Sequence, residues 1–324
     1  MATNKEPTSV IVQKVLERYE AGIPLFTREV LEDINRQLEE GRNSVTIKDY
    51  YGRECNYTLK KSKSAAVSIG YRSIDALTQL MPSDPGSKHN ERPVTIASTS
   101  YGTQKHATVE QIRTAFEHEQ TAWKESKACQ NLTEQIKSLT ADGITKIVGF
   151  GLGAVAYQVE DVGRETRRAL AQHAAMLTIA EGLEQKGKHE VKCYSQDPVN
   201  EGAGNEFLKT IGITPLDNPK GFLAVDGEML VVMSISPNIP VRQVVADISR
   251  PVAMLVNTIE EKPKREWKWM TMEDGHFTCL SPYSTDPVSS RVLRMAEDYD
   301  EFPFNYADDM FGKVALYVKK DNVT

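Results

Sequence analysis

The hydrophobic positions of the first forty residues repeat with helical spacing. Ile11, Val12, Val15, Leu16 and Tyr19 share one face behind Thr8-Ser9, which can cap a helix. Ala21-Gly22-Ile23-Pro24 breaks that face. Thr27 opens a second helix with Val30, Leu31, Ile34 and Leu38 on one side and Gly41 as its stop. The rhythm then shortens to two. Ser44–Ile47 and Cys55–Leu59 alternate in polarity about a turn near Tyr51-Gly52, which predicts a hairpin, the one β insertion expected in this half. Residues 82–92 hold two prolines, Gly86 and several polar residues, and predict an exposed loop. Thr108 with Gln111 is a capping box for a helix carrying Ile112, Ala115, Phe116 and Trp123. A further helical stripe follows at Leu132, Ile136 and Leu139, ended by Ala141-Asp142-Gly143.

After Gly143 the pattern changes. Short apolar runs at Ile144–Val148, Val191–Tyr194, Met229–Met233 and Val252–Val256 alternate with helical segments at Glu165–Leu183, Glu206–Ile211 and Val241–Ile248. Runs that are apolar throughout belong to strands covered on both faces. The alternation therefore predicts an α/β fold: a Rossmann-like, mostly parallel sheet with helices on both faces. The tail is less regular, with a strand at Trp267–Met270, a helix at Asp286–Asp298 and an edge strand at Lys313–Val318. Two regions follow: a mostly helical one with a β-hairpin over 1–140, and a Rossmann-like domain with an irregular C-terminal extension over 141–324.

Composition narrows the function classes. The 324 residues are 40% hydrophobic and 26% charged, enough to bury an ordinary core. The net charge of -6 leaves no basic excess for a phosphate backbone, which argues against nucleic acid as a main partner. No run approaches the roughly 18 apolar residues of a membrane span, and residues 1–7 hold no apolar run of a secretion signal. Cys55, Cys129, Cys193 and Cys279 are widely spaced without a CxxC pair, so reduced thiols and a cytoplasmic location, with the nucleus also open, are expected. Asn131-Leu132-Thr133 is then a chance sequon.

The sharpest chemical signal is Gly149-Phe150-Gly151-Leu152-Gly153-Ala154, which fits G-x-G-x-x-A directly after a predicted strand. Glycines there allow a tight turn and close approach of a ligand, and a helix directly behind them supplies free N–H groups; here Val159–Arg164 intervenes before a helix opens, a departure from that pattern. Gly149, Gly151, Leu152 and Gly153 are thus candidate cofactor-binding residues. The acidic residue expected about 20 positions on is missing; the first candidate after the next strand is Asp197, whose carboxylate could meet ribose hydroxyls. Ser234 follows another strand at the same sheet edge. Two readings stand side by side: a loop for a nucleotide or S-adenosylmethionine, and a close-packed turn that binds nothing. Asp197-Pro198 reads as an Asp-Pro turn before a ribose contact. His173 lies on the apolar side of its helix and reads as a core histidine before a base. The histidines and cysteines show no ligand spacing, so no metal site is expected. Glu297–Glu301 with Asp308-Asp309 reads as a solvated acidic surface rather than a Mg²⁺ site, and Trp267 with Trp269 as packing. Ser234 and Ser236 lack a Gly-x-Ser-x-Gly elbow, so no serine nucleophile is assigned.

Several segments together resemble the SRR-like (sensitivity to red light reduced) domain proteins, particularly the fungal type. They are Tyr19–Thr27, Trp123 with Ser126, Lys146–Gly153, Gln172–Leu177, Asp197-Pro198-Val199 and Phe207–Ile213, spread over about residues 15–260. The resemblance implies a Rossmann-like SRR domain, with circadian and regulatory roles in plants and animals and links to haem metabolism in some members. It brings no established catalytic residues. Family members often carry Met-Pro-His-Cys after the strand matching Met229–Met233; here that segment is Met233-Ser234-Ile235-Ser236-Pro237. The family's Tyr-Asp-Pro is also altered, with Ser195 and Gln196 between Tyr194 and Asp197.

The expected function is regulatory or ligand-sensing, through a nucleotide-type pocket. Two alternatives stay open: a methyltransferase or oxidoreductase using the same loop, and a non-catalytic module that binds protein partners.

Overall fold

The computed structural model describes residues 7–59, 65–78, 90–100, 107–139, 143–156, 162–226, 230–261, 268–271, 277–280, 284–304 and 310–320. The chain opens with helices α1 (Thr8–Glu20) and α2 (Arg28–Glu39). Thr27 caps α2, its hydroxyl accepting from Val30 N at 3.3 Å. The expected Thr8-Ser9 cap is absent: Pro7 takes the N-cap position and no side chain bonds the first turn. Strands β1 (Ser44–Lys48) and β2 (Glu54–Thr58) form the expected antiparallel hairpin. A second antiparallel pair, β3 (Ala65–Tyr71) and β4 (Val94–Ser100), brackets the short helix α3 (Ile74–Thr78), where only one β insertion was expected. Residues 82–89 of the expected loop lie outside the described residues. Its end is not exposed, because Asn90 is buried and its Nδ2 donates to Leu77 O at 2.6 Å. Helix α4 (Val109–Glu125) starts on the Thr108–Gln111 capping box, and Ser126 caps α5 (Lys127–Ser138).

From here strands and helices alternate. β5 (Lys146–Phe150), α6 (Arg164–Gly187), β6 (Lys192–Gln196), α7 (Gly202–Thr210), β7 (Ile213–Pro215), α8 (Lys220–Ala224), β8 (Leu230–Ser234), α9 (Val241–Ile248) and β9 (Ala253–Asn257) run in that order. A small hairpin, β10 (Lys268–Thr271) with β11 (Phe277–Leu280), helix α10 (Ser290–Ala296), and strands β12 (Tyr299–Phe304) and β13 (Val314–Lys319) complete the chain. Trp267, the side chain of Trp269, and Asp308-Asp309 lie outside the described residues.

Seven strands form one sheet in the order β12-β13-β9-β8-β5-β6-β7. β5 to β9 are mutually parallel, and β13 runs antiparallel to both its neighbours. The chain builds outward from β5 through β6 and β7, then returns to the other side of β5 for β8 and β9. This is the doubly wound, Rossmann-like arrangement, and its switch point lies between β5 and β8 at their C-terminal ends. The tail departs from expectation. β13 is an interior strand, with Val314–Val318 buried on both faces, and the acidic run contributes the true edge strand, β12.

Helices cover both faces. Ile147, Met233 and Leu255 pack with α4, α5, α6 and α7 on one side. Val148, Val232 and Met254 pack with α1, α2, α9 and the β3–β4 pair on the other. The boundary drawn near residue 140 falls between α5 and β5, and α4 and α5 share one buried cluster with the sheet. On the second face Phe150 stacks on Phe222 at 4.5 Å, Phe222 meets Tyr71 at 5.0 Å, and Tyr71 meets Phe26 at 6.0 Å. A chain of rings thus ties the N-terminal segment to the central strand.

Asp247 of α9 and Arg291 of α10 fix that segment further. Asp247 Oδ2 accepts from Leu25 N at 2.8 Å and Phe26 N at 3.1 Å. Arg291 Nη1 meets Asp247 Oδ1 at 2.6 Å, Nη2 donates to the carbonyls of Tyr19 and Ile23, and the guanidinium lies 3.9 Å from the Tyr19 ring centre. Among the described residues no helix is long and apolar enough to cross a membrane.

Candidate functional site

The site is built where β5 ends. Gly149 is still inside the strand, in register with Ser195 of β6 and Met233 of β8. A Cβ there would stand 2.5 Å from Met176 Cε and 2.7 Å from Leu152 Cδ1, so Gly149 admits α6 close to the sheet. Past Phe150 the chain turns on two left-handed glycines, Gly151 at φ +61° and Gly153 at φ +89°, conformations that glycine takes without a steric cost. A Cβ on Gly153 would stand 2.9 Å from Ala169 Cβ, so this glycine too seats the helix.

Three amide groups of this loop are already bonded. Gly151 N donates to Gln196 O at 3.1 Å, Gly153 N to Asp197 Oδ2 at 2.8 Å, and Val155 N to Asn200 Oδ1 at 3.0 Å. Asn200 Nδ2 returns a bond to Gly153 O at 3.0 Å. Asp197 Oδ1 also accepts from Val199 N at 3.1 Å. Burial pushes the Asp197 carboxyl above its ordinary range, and the two N–H donors work against that shift. Asp197 does stand just after the next strand, as the fingerprint requires. The ten residues 154–163 before α6 and the 24-residue helix itself together stretch the sequence spacing.

Above this loop lies a cavity of about 560 Å³, within the usual size range of small-molecule sites. Gly151, Leu152, Gly153 and Asp197 line its floor, Val67 to Gly70 of β3 form a wall, and Ser236, Asn238 and Ile239 close the far side. Four of the six expected residues are therefore brought together. Gly149 and Ser234 lie below, in the strands, and the Ser234 hydroxyl donates to Phe150 O at 3.2 Å. A second cavity of about 910 Å³ continues past Asp197, Pro198 and Asn218 toward α2 and α7. Ser195 borders it, with its buried Oγ unpartnered among the described residues.

Sequence reasoning missed the polar wall that α6 contributes. Arg168 and Gln172 are one helical turn apart and both line the cavity. Gln172 is buried; with its amide turned so that nitrogen and oxygen each meet a partner, Nε2 donates to Leu152 O at 3.2 Å and Oε1 accepts from Arg168 Nε at 3.0 Å. Arg168 is three-quarters buried, and its terminal nitrogens meet no closer partner among the described residues than Glu165, at 3.8 Å. The spacing of Arg168, Gln172 and Glu165 around Ala169 was the available signal.

The neighbouring His173 is fully buried. Its Nδ1 donates to Ala169 O at 2.7 Å, and Nε2 has no partner among the described residues. Burial pushes its pKa down to about 4, so the ring is neutral at physiological pH. Among the described residues no three His, Cys, Asp or Glu side chains group to hold a metal ion. Cys55, Cys129 and Cys193 are free thiols.

The SRR1 domain model matches residues 110–311, from the first turn of α4 to the residues just before β13. The chain belongs to the SRR1 domain family. Its SRR1 domain thus contains α4, α5, the glycine turn, Asp197 and the Arg168–Gln172 pair. No curated protein and no solved structure matches the chain significantly. The Tyr19–Thr27 segment lies outside the SRR1 match, and the Asp247–Arg291 pair bonds it to that domain.

Proposed function

We propose that this SRR1 domain protein is a ligand sensor. It holds a nucleotide-type small molecule in the cavity at the switch point of its sheet. The observation that carries this reading is the position of the cavity at the carboxyl ends of β5, β6 and β8, where open α/β sheets bind ligands. Ligand there touches the β3 wall from the N-terminal region and α6 from the SRR1 domain at once. Occupancy therefore couples the two parts, which suits a regulatory role.

The test is a thermal-shift screen of the full chain against NAD(H), NADP(H), S-adenosylmethionine, ATP and haem. It is repeated on Val199→Trp, an exposed lining position where a large ring obstructs the mouth. Ligand at 100 times its dissociation constant stabilises by about 2.7 kcal/mol. A shift that the variant abolishes supports the reading; a shift that the variant leaves intact places the ligand elsewhere.

One observation favours a second reading. The amides of Gly151, Gly153 and Val155 are used internally, which suits a glycine turn that serves packing and a domain that works through protein contacts. No shift with any compound would support it.

A further inference from the structure

We infer that the cavity selects a zwitterionic, amino-acid-bearing nucleoside, with its carboxylate on Arg168, and rejects diphosphate dinucleotides. This rests on the proposal that the cavity binds a nucleotide-type ligand, and it names the charge class of that ligand.

The argument starts from the donors a diphosphate would need. In a dinucleotide site the glycine-turn amides face the pyrophosphate. Here the Gly153 amide is taken by a carboxylate, Asp197, and the flanking amides of Gly151 and Val155 by Gln196 and Asn200. A fixed negative group thus stands against the turn where phosphate would have to approach. Two like charges in a part-buried site repel more strongly than in water.

The remaining charges point to another ligand. Among the described lining residues Arg168 is the cation, and in the amide orientation that satisfies Gln172 its Nε is anchored by Gln172, which is itself anchored to Leu152 O. That chain fixes the plane of the guanidinium, leaving Nη1 and Nη2 to meet a carboxylate end on. Glu165 and Asp197 flank it in the same lining, so among the described lining residues two carboxylates stand against one guanidinium. A ligand with one carboxylate and one ammonium matches this set. One carrying a diphosphate does not. The apolar residues Val67, Ile69, Leu152 and Ile239 offer the uncharged surface that a nucleoside body needs.

The probes are S-adenosylhomocysteine, 5′-methylthioadenosine (the same nucleoside thioether without the amino-acid group) and NAD⁺, titrated calorimetrically into the full chain. S-adenosylhomocysteine is expected to bind roughly 10- to 100-fold more tightly than methylthioadenosine, the range of a charge-assisted hydrogen-bonded pair. Arg168→Gln should reduce that ratio to within about threefold, and Arg168→Lys should restore part of it. Equal affinity for the two adenosyl compounds, or a ratio unchanged in Arg168→Gln, would overturn the inference. Tighter binding of NAD⁺ than of S-adenosylhomocysteine would overturn it too, while leaving the cavity a ligand site. If no compound binds, the inference and the ligand-sensor reading fall together. Circular dichroism of Arg168→Gln checks that the variant is folded.

Discussion

The carboxylate of Asp197 accepts the amide hydrogen of Gly153 at 2.8 Å, across a gap of 44 residues in the chain. This bond joins the end of β6 to the turn after β5. With the second bond, from Val199 N, it gives Asp197 a structural task whatever binds above it. Asp197→Ala leaves two amides without their acceptor and should cost about 2 kcal/mol; Asp197→Asn, which keeps one acceptor oxygen, should cost less. Urea unfolding of the three proteins measures the order. Equal stability of Asp197→Ala and the wild type would rule the bond out as a stabilising contact.

Gly153 should tolerate no side chain, for two separable reasons. Alanine there takes an unfavourable positive φ and meets Ala169 Cβ at 2.9 Å. Gly153→Ala is expected to destabilise by at least about 2 kcal/mol. Adding Ala169→Gly removes the contact but not the strain. The pair should therefore show a favourable coupling of about 1 kcal/mol in a double-mutant cycle. Strict additivity would show that helix packing is not the constraint.

His173 carries a pH signature. Its folded pKa of about 4 lies below the unfolded value of 6.5, so the unfolded chain binds a proton first as acid is added. Stability from this group is intact above pH 6.5, is lost between 6.5 and about 4, and levels off below, with a total of about 3 kcal/mol. His173→Met removes this dependence and the unpartnered Nε2. The variant should nearly match the wild type at pH 7.5 and exceed it at pH 5. Parallel stability curves across that range would contradict the buried, neutral assignment.

Asp247→Ala leaves Arg291 without its counter-ion and frees the amides of Leu25 and Phe26. Removing one member of a buried pair typically costs about 3–5 kcal/mol. Limited proteolysis should find the Tyr19–Thr27 segment cut earlier in this variant than elsewhere in the chain. Cleavage first at another place would show that the pair does not hold that segment.

In the stretch from β5 to β9, strands β5, β6, β8 and β9 and helices α6, α7 and α9 were legible from their apolar runs and faces, whereas β7 and α8, only 3 and 5 residues long, were too short to show a period. Much of the rest was hidden by side-chain chemistry. β12 has the sequence Tyr-Asp-Glu-Phe-Pro-Phe, whose charges and proline are what an edge strand tolerates and what a solvated run also looks like. β3 and β4 are diluted by Ala, Ser, Thr and Gly, so neither shows a clean alternation. β13 looked like an edge because Tyr317 and Lys313 gave it polar positions. The Tyr317 hydroxyl is in fact bonded on both sides, accepting from Ile259 N at 2.7 Å and donating to Glu301 at 3.0 Å. In the candidate site the turn was visible from its glycines. Arg168 and Gln172 were not, because a charged residue near the start of a helix ordinarily faces water.

The place of β13 has a consequence for how the chain is made. Synthesis runs from the N-terminus, and the strand that separates β9 from β12 is the last described one to be polymerised. Until residue 319 has left the ribosome, β9 presents an open ladder of unpaired amides and carbonyls. The family match stops at residue 311, three residues before this strand begins. A fragment cut to that boundary keeps β12 but not the strand to which it pairs, and should be recovered as aggregate where the full chain is not.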